Sequence, residues 1–236
     1  RFHFQVGTIL DHAAMIDLIG TCDSVFHLAA AAGVKYIIDN PLNSLITSVC
    51  GTDIVLELCS RFRKRVLIAW TSEVYGKHDH APLRETDDSI YGSSDKFRWS
   101  YAASKLIDQA MANEPITVYG DGKQTRTFTH VLEVVEVFAR LIDCPAAYGE
   151  VVNVGGVEEV SILELATRIK AVTGSRSEIR LIPYSEAYPK DFEDTTRRVP
   201  CTDKLRKLVG IAPTISLDAI LSDMIQARHM SYPKAA

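Results

Sequence analysis

Residues 65–76 read RVLIAWTSEVYG. The run Arg65–Trp70 is short and apolar, and hydroxyl and carboxylate side chains follow it directly. Such a run reads as a buried strand of a parallel sheet. In open α/β sheets, ligands bind at the carboxyl ends of the strands. Thr71, Ser72 and Glu73 therefore stand where chemistry is expected.

The same pattern extends in both directions. Upstream, DSVFHLAA (Asp23–Ala30) reads as another buried strand ending in small residues. Pro41 opens a helical pattern through Arg63, with Ile46, Val49, Ile54, Val55, Leu58 and Cys59 on one apolar stripe. Downstream lies a polar loop, Lys77 to Arg98, whose length suggests function rather than connection. Tyr101–Met111, His130–Ile142 and Ser216–Ile225 fit helices. Gly149–Gly156 reads as a strand closed by glycines. Ser161–Gly174 reads as a helix, with a Ser161/Glu164 capping box and a glycine at its end. Strands alternating with helices predict an α/β fold, a doubly wound parallel sheet of Rossmann type. One irregularity stands out: the helix ending near Met111 runs into ITVYGDGKQTRTFTH with no strand between.

The chain of 236 residues is 47 % apolar, enough for a substantial core. Its formal charge of −4 gives no footprint for nucleic acid. No apolar run is expected to span a membrane, and the start, RFHFQVGTILD, has no apolar leader. The five cysteines are odd in number and widely spaced, with no metal-ligand spacing. They read as reduced, mostly buried thiols of a cytoplasmic protein, and no metal is expected.

Residues 99–105, WSYAASK, place Tyr101 and Lys105 four apart, on one face of a helix. A free phenol titrates near 10, and an adjacent ammonium favours its ionised form. By itself the pair also fits an exposed helix face. Thr71 at a strand end shifts the reading toward catalysis.

FHLAA (26–30), GT (51–52), TSEVYG (71–76), YAASK (101–105), YGDGKQTRTFTHV (119–131), NVGG (153–156) and RRVPCTDK (197–204) follow in an informative order. In this respect the chain resembles the extended short-chain dehydrogenase/reductase family acting on nucleotide sugars. The resemblance implies an NAD cofactor, a UDP-sugar substrate and transient oxidation at C4. It implies Tyr101 as general base, Lys105 beside it and on the cofactor ribose, and Thr71 holding the reacting hydroxyl. Thr8, Ile9, Ala29 and Ala30 would lie beside the cofactor. Lys35, Ser72, Gln124, Arg126 and Arg198 would face the substrate, with Arg126 suited to a diphosphate.

Glu73 and Arg198 resemble residues of the UDP-glucuronate decarboxylases, where a C4 ketone permits loss of CO₂. UDP-hexose 4-epimerisation is the second reading. A catalytically inactive member serving as a binding module is the third. Glu73 as a structurally paired carboxylate, and Arg197–Arg198 as a solvated basic pair, remain open. Trp70, Ser48 and Cys201 depart from residues common in the family.

The family's glycine-rich G-x-x-G-x-x-G turn is not in this sequence. A substrate-contacting segment is also expected to be missing near Gln109–Asn113. The domain expectation is a cofactor-binding part over 1–112, rejoined by 129–157, and a substrate-binding part over 113–236. The resemblance further implies a homodimer formed through the helix after Pro41 and the Tyr101–Lys105 helix.

Overall fold

The structure is a computed structural model, which describes residues 2–30, 40–76, 78, 80–88, 113–187 and 195–231. It contains two compact units. The first comprises residues 1–71 with 141–143, and the second 72–140 with 144–236.

In the first unit, helix α1 (His12–Thr21) starts where the Asp11 carboxylate accepts the Ala14 amide at 3.1 Å. Strand β1 (Ser24–His27) pairs in parallel with β2 (Arg65–Ile68), Phe26 opposite Leu67. Helix α2 (Pro41–Arg61) connects them, with proline at its start and Arg61 in its last turn. This is the β–helix–β unit predicted from the sequence, with both strands shorter than the apolar runs that announce them. Ile19, Val55, Leu58 and Cys59 form the core, backed by Met15, Ile16, Val25, Ile54, Phe62 and Val66.

Helix α2 corrects two expectations. Its apolar residues occupy two faces rather than one stripe. Val55, Leu58 and Cys59 are buried, whereas Leu42, Leu45, Ile46, Val49 and Leu56 are exposed. Furthermore, Leu42–Arg61 is long and apolar enough to cross a membrane by length and composition, with 28 % of the most apolar window buried. Polar residues interleave with the two apolar faces, so the sequence shows no unbroken run.

In the second unit, β3 (Ile116–Tyr119) pairs in parallel with β6 (Ile179–Ile182). The ITVYGDG stretch, to which the sequence reading assigns no strand, thus opens with one. Ile116 and Val118 point into the core while Thr117 and Tyr119 lie on the other face, so the run is too short and alternating to read as a buried strand. A second sheet has the order β5-β4-β7, formed by Glu159–Ser161, Thr125–Thr127 and Arg197–Arg198. There β4 is antiparallel to β5 and parallel to β7, so this part of the fold is mixed rather than parallel.

Helices α3 (Val131–Ile142), α4 (Ile162–Thr173), α5 (Tyr184–Ala187), α6 (Asp203–Val209) and α7 (Leu217–Ser231) are the remaining α-helices among the described residues. The Ser161 hydroxyl caps α4 by accepting the Glu164 amide, and Gly174 closes it in the left-handed region. The Glu164 carboxylate pairs with Arg168 at 2.6 Å. Ile116, Val118, Ile162, Leu165, Ile169 and Leu221 lie at the centre of this unit's core.

Residues 149–156 do not form the predicted strand. Their polar backbone groups are taken by side chains instead. Lys204 Nζ donates to the Val151 carbonyl, Glu85 accepts the Asn153 amide, and Thr129 Oγ1 accepts the Gly156 amide. The cysteines are free, as expected, but they are not mostly buried: Cys59 and Cys201 are buried, Cys22 and Cys144 intermediate, and Cys50 exposed.

Candidate functional site

The carboxyl end of β1 presents Leu28, Ala29 and Ala30 to solvent. His27, just inside it, is buried and bonded through Nε2 to Thr52 Oγ1 at 2.9 Å. Thr52 spends its own proton on the Ser48 carbonyl, at 2.6 Å. Thr52 must therefore accept from His27, which fixes the Nε2–H tautomer. Burial lowers the His27 pKa and favours the neutral ring. This bond fastens the strand end to α2 at the GT motif.

Thr8 and Ile9 lie in the turn before α1, where the Thr8 carbonyl accepts the Asp11 amide at 3.0 Å. The Ile9 side chain occupies the space that a Cβ at Gly51 would need, which explains the glycine of GT. Thr71 is exposed three residues past the end of β2, and Trp70 before it is 74 % exposed. Ser72 and Glu73 lie in a single 3₁₀ turn, Ser72–Tyr75, at the start of the second unit. Lys35, Tyr101 and Lys105 lie outside the described residues, as do the expected Tyr101–Met111 helix and the junction at 109–112.

Arg126 and Arg198 are brought together as register partners across β4 and β7. Arg126 Nη1 donates to the carbonyls of Thr125, at 2.7 Å, and Thr195, at 2.8 Å. Arg198 Nη2 donates to Thr195 Oγ1 at 3.4 Å. Arg197, its neighbour, makes a two-pronged bond to Glu159 at 2.7 and 2.8 Å. That bond, with a further one from Thr125, holds the Glu159 pKa below its usual range. Of the RR pair, Arg197 thus has a structural partner on β5, on the far side of β4. Gln124 uses its amide to hold the Tyr119 carbonyl at 3.1 Å, bracing the YGDGKQ turn.

A further network was not assigned from the sequence. Tyr75, the tyrosine of TSEVYG, is buried, and its hydroxyl donates to Asn153 Oδ1 at 2.8 Å. Asn153 Nδ2 donates to the Leu83 carbonyl at 3.0 Å. Burial raises the Tyr75 pKa above 10, outweighing the bond to Asn153, so the phenol stays protonated and donates. Leu83 in turn donates its amide to Val199 and accepts that of Cys201. Both partners belong to motifs already noted, TSEVYG and NVGG. Their spacing of 78 residues hides the contact.

The family profile described as GDP-mannose 4,6 dehydratase matches residues 1–115 and 107–224. A UDP-N-acetyl-alpha-D-glucosaminuronate decarboxylase of Bacillus cytotoxicus is 33 % identical over 260 residues, covering 93 % of this chain and 80 % of that protein. The alignment is longer than the chain of 236 residues, so the relative has residues without a counterpart here. UDP-glucuronic acid decarboxylase 1 of Danio rerio is 29 % identical over 92 % of this chain, which spans 60 % of that protein. Among solved structures, UDP-glucuronic acid 4-epimerase of Bacillus cereus, in complex with UDP-glucuronic acid and NAD, superposes with a TM-score of 0.82 at 22 % identity. That match covers 96 % of this chain and 81 % of the other, and it shows a Rossmann-like α/β fold. The chain belongs to the GDP-mannose 4,6 dehydratase family.

Proposed function

We propose that this protein is an NAD-dependent UDP-uronate decarboxylase. The observation that carries the proposal is the 33 % identity, over 93 % of the chain, to a decarboxylase of a UDP-linked uronate. The paired Arg126 and Arg198 support an anionic substrate. The residues at the β1 end fit a nicotinamide dinucleotide: Ala29 and Ala30 are exposed and small, leaving room for a ring beside the strand.

NAD, when bound, supplies the acceptor and later the donor of the C4 hydride. The protein's part is placement and proton transfer. Tyr101 takes the proton from the C4 hydroxyl, with Lys105 favouring its phenolate. Thr71 orients that hydroxyl through a hydrogen bond. Once C4 is a ketone, the C5–C6 bond breaks, CO₂ leaves and the electrons pass into the carbonyl as an enolate, which takes a proton at C5 to restore the C4 ketone before its reduction. Ser72 and Glu73 serve the carboxylate and ring, and Arg198 holds the sugar. Arg126 serves the diphosphate, where a planar guanidinium can donate two parallel bonds. Thr8 and Ile9 serve the adenine end of the cofactor, and Lys35 faces the substrate.

The working form is a cytoplasmic homodimer. Leu42, Leu45, Ile46, Val49 and Leu56 recur at helical spacing on the exposed face of α2 and suit a second copy of the chain.

Product analysis tests the activity. The intact protein with NAD is incubated with UDP-glucuronate, UDP-N-acetylglucosaminuronate and UDP-glucose. The expected products are CO₂ and the UDP-sugar shortened by one carbon from a uronate. Formation of 4-epimers alone, with no CO₂, contradicts the proposal and favours the epimerase reading. Absence of any turnover favours an inactive binding module.

A further inference from the structure

We infer that Tyr75 and Asn153 are positioning residues, which fix the turn carrying Ser72 and Glu73 relative to the strand carrying Arg198. The inference rests on the proposed decarboxylase reading and adds residues to that site. The Tyr75 side chain anchors the last residue of the 3₁₀ turn to Asn153 at 2.8 Å. Asn153 passes the constraint to the Leu83 carbonyl, at 3.0 Å. Leu83 is clamped in a parallel bridge beside Pro200, donating to Val199 at 2.7 Å and accepting from Cys201 at 2.6 Å. These residues directly follow Arg198 on the chain.

Three further features make the linkage stiff. Tyr75, Leu83 and Cys201 are all buried. The Asn153 amide also donates to Glu85 Oε1, at 2.8 Å, so backbone and side chain of Asn153 are held together. Gly155 lies so close to Pro200 that a Cβ there would overlap the proline ring. The polarity of the chain of bonds is unambiguous. The Leu83 carbonyl can only accept, so Asn153 turns its NH₂ toward it and its oxygen toward the phenol. One hydroxyl thus links two segments for which the sequence proposes contact with the reacting sugar. A small displacement between such segments lowers turnover more than it lowers binding.

The test uses Tyr75→Phe, which deletes only the hydroxyl, and Asn153→Asp, which keeps the acceptor for Tyr75 but loses the donor to Leu83. For the intact protein, kcat for CO₂ release from UDP-glucuronate is expected to fall roughly ten- to a hundredfold in both variants. KM and the Kd for UDP are expected to stay within about twofold, the split expected for an interaction that matters in the transition state. An unchanged kcat overturns the inference. So does a fall in kcat that tracks UDP affinity and Tm together, or failure of both variants to fold, since each makes the linkage a structural prop. If the wild-type protein releases no CO₂ but interconverts 4-epimers, the decarboxylase reading fails alone, and the same split is read on epimerisation. A wild-type protein silent in both assays overturns the two together.

Discussion

Arg126 and Arg198 stand opposite one another in the parallel β4–β7 ladder, and Thr195 accepts from both, through its carbonyl and its hydroxyl respectively. Like charges directly opposite on one face of a sheet are destabilising. On the proposed reading, the anionic substrate lies beside both guanidinium groups. Arg197, one residue earlier, is paired with Glu159 instead. Adjacent arginines on one strand thus have different partners, Glu159 for Arg197 and Thr195 for Arg198.

Replacing either Arg126 or Arg198 by alanine should therefore weaken UDP binding. A charge-assisted hydrogen bond contributes about 1.5–3 kcal/mol, so Kd should rise roughly ten- to a hundredfold for each variant by titration calorimetry. Lysine should restore little, because an ammonium cannot reproduce the planar fork. Arg197→Ala should leave Kd unchanged. Its solvent-screened ion pair is expected to contribute little to stability.

The buried His27 predicts a pH dependence of folding. Its folded pKa lies below the ordinary 6.5, so the neutral ring stabilises the native state fully above that pH. This contribution should be lost as the pH falls below 6.5 and through the depressed folded value. Glu158 and Glu159 have pKa values lowered below 4.5, the first mainly by the Leu217 amide and the second mainly by Arg197. Their contributions are present above 4.5 and are lost only as the pH falls further. Thermal unfolding of the wild type against pH should show two separate declines. His27→Gln should abolish the upper one and leave the lower one in place.

Two glycines separate steric from conformational requirements. A Cβ at Gly156 would overlap the backbone carbonyl oxygen of Phe128, which cannot rotate away. Gly174 has open space around it but sits at φ +61°. In chemical denaturation, Gly156→Ala should destabilise by about 2–3 kcal/mol through overpacking, and Gly174→Ala by about 1 kcal/mol through the left-handed cap.

The local parts of this fold are legible in the sequence. Arg65–Ile68 is apolar where the strand forms, and Ser161 and Gly174 mark the ends of α4, because those signals lie within a few residues of their effect. The pairing of Arg126 with Arg198 is different. It rests on contacts distant in sequence, Arg126 opposite Arg198 and Arg126 bonded to Thr195 69 residues on, and no local pattern encodes it. The NVGG segment misleads for a related reason. Its apolar alternation reads as a strand, yet Glu85, Thr129 and Lys204 satisfy the backbone from distant positions. Asn153 shows the limit for the site itself. The motif identifies the residue, but only the fold shows that it joins Tyr75 to Leu83.

The exposed face of α2 predicts the assembly state. Leu45 is 61 % and Val49 57 % exposed, one turn apart. Leu45→Glu and Val49→Glu should convert a dimer to a monomer in sedimentation velocity, since charged residues would enter the apolar seam. Both variants should retain the wild-type Tm of the folded chain within a few degrees, because neither side chain belongs to the unit's core.

The most direct measurement follows two isotopes through one turnover. UDP-glucuronate labelled with ¹³C at C6 and deuterium at C4 is incubated with the intact protein and NAD, and the products are weighed by mass spectrometry. Transient oxidation at C4 with decarboxylation predicts ¹³CO₂ and a UDP-pentose that retains deuterium at C4. Recovery of the ¹³C label in an intact UDP-uronate, whether unchanged or 4-epimerised, would contradict it.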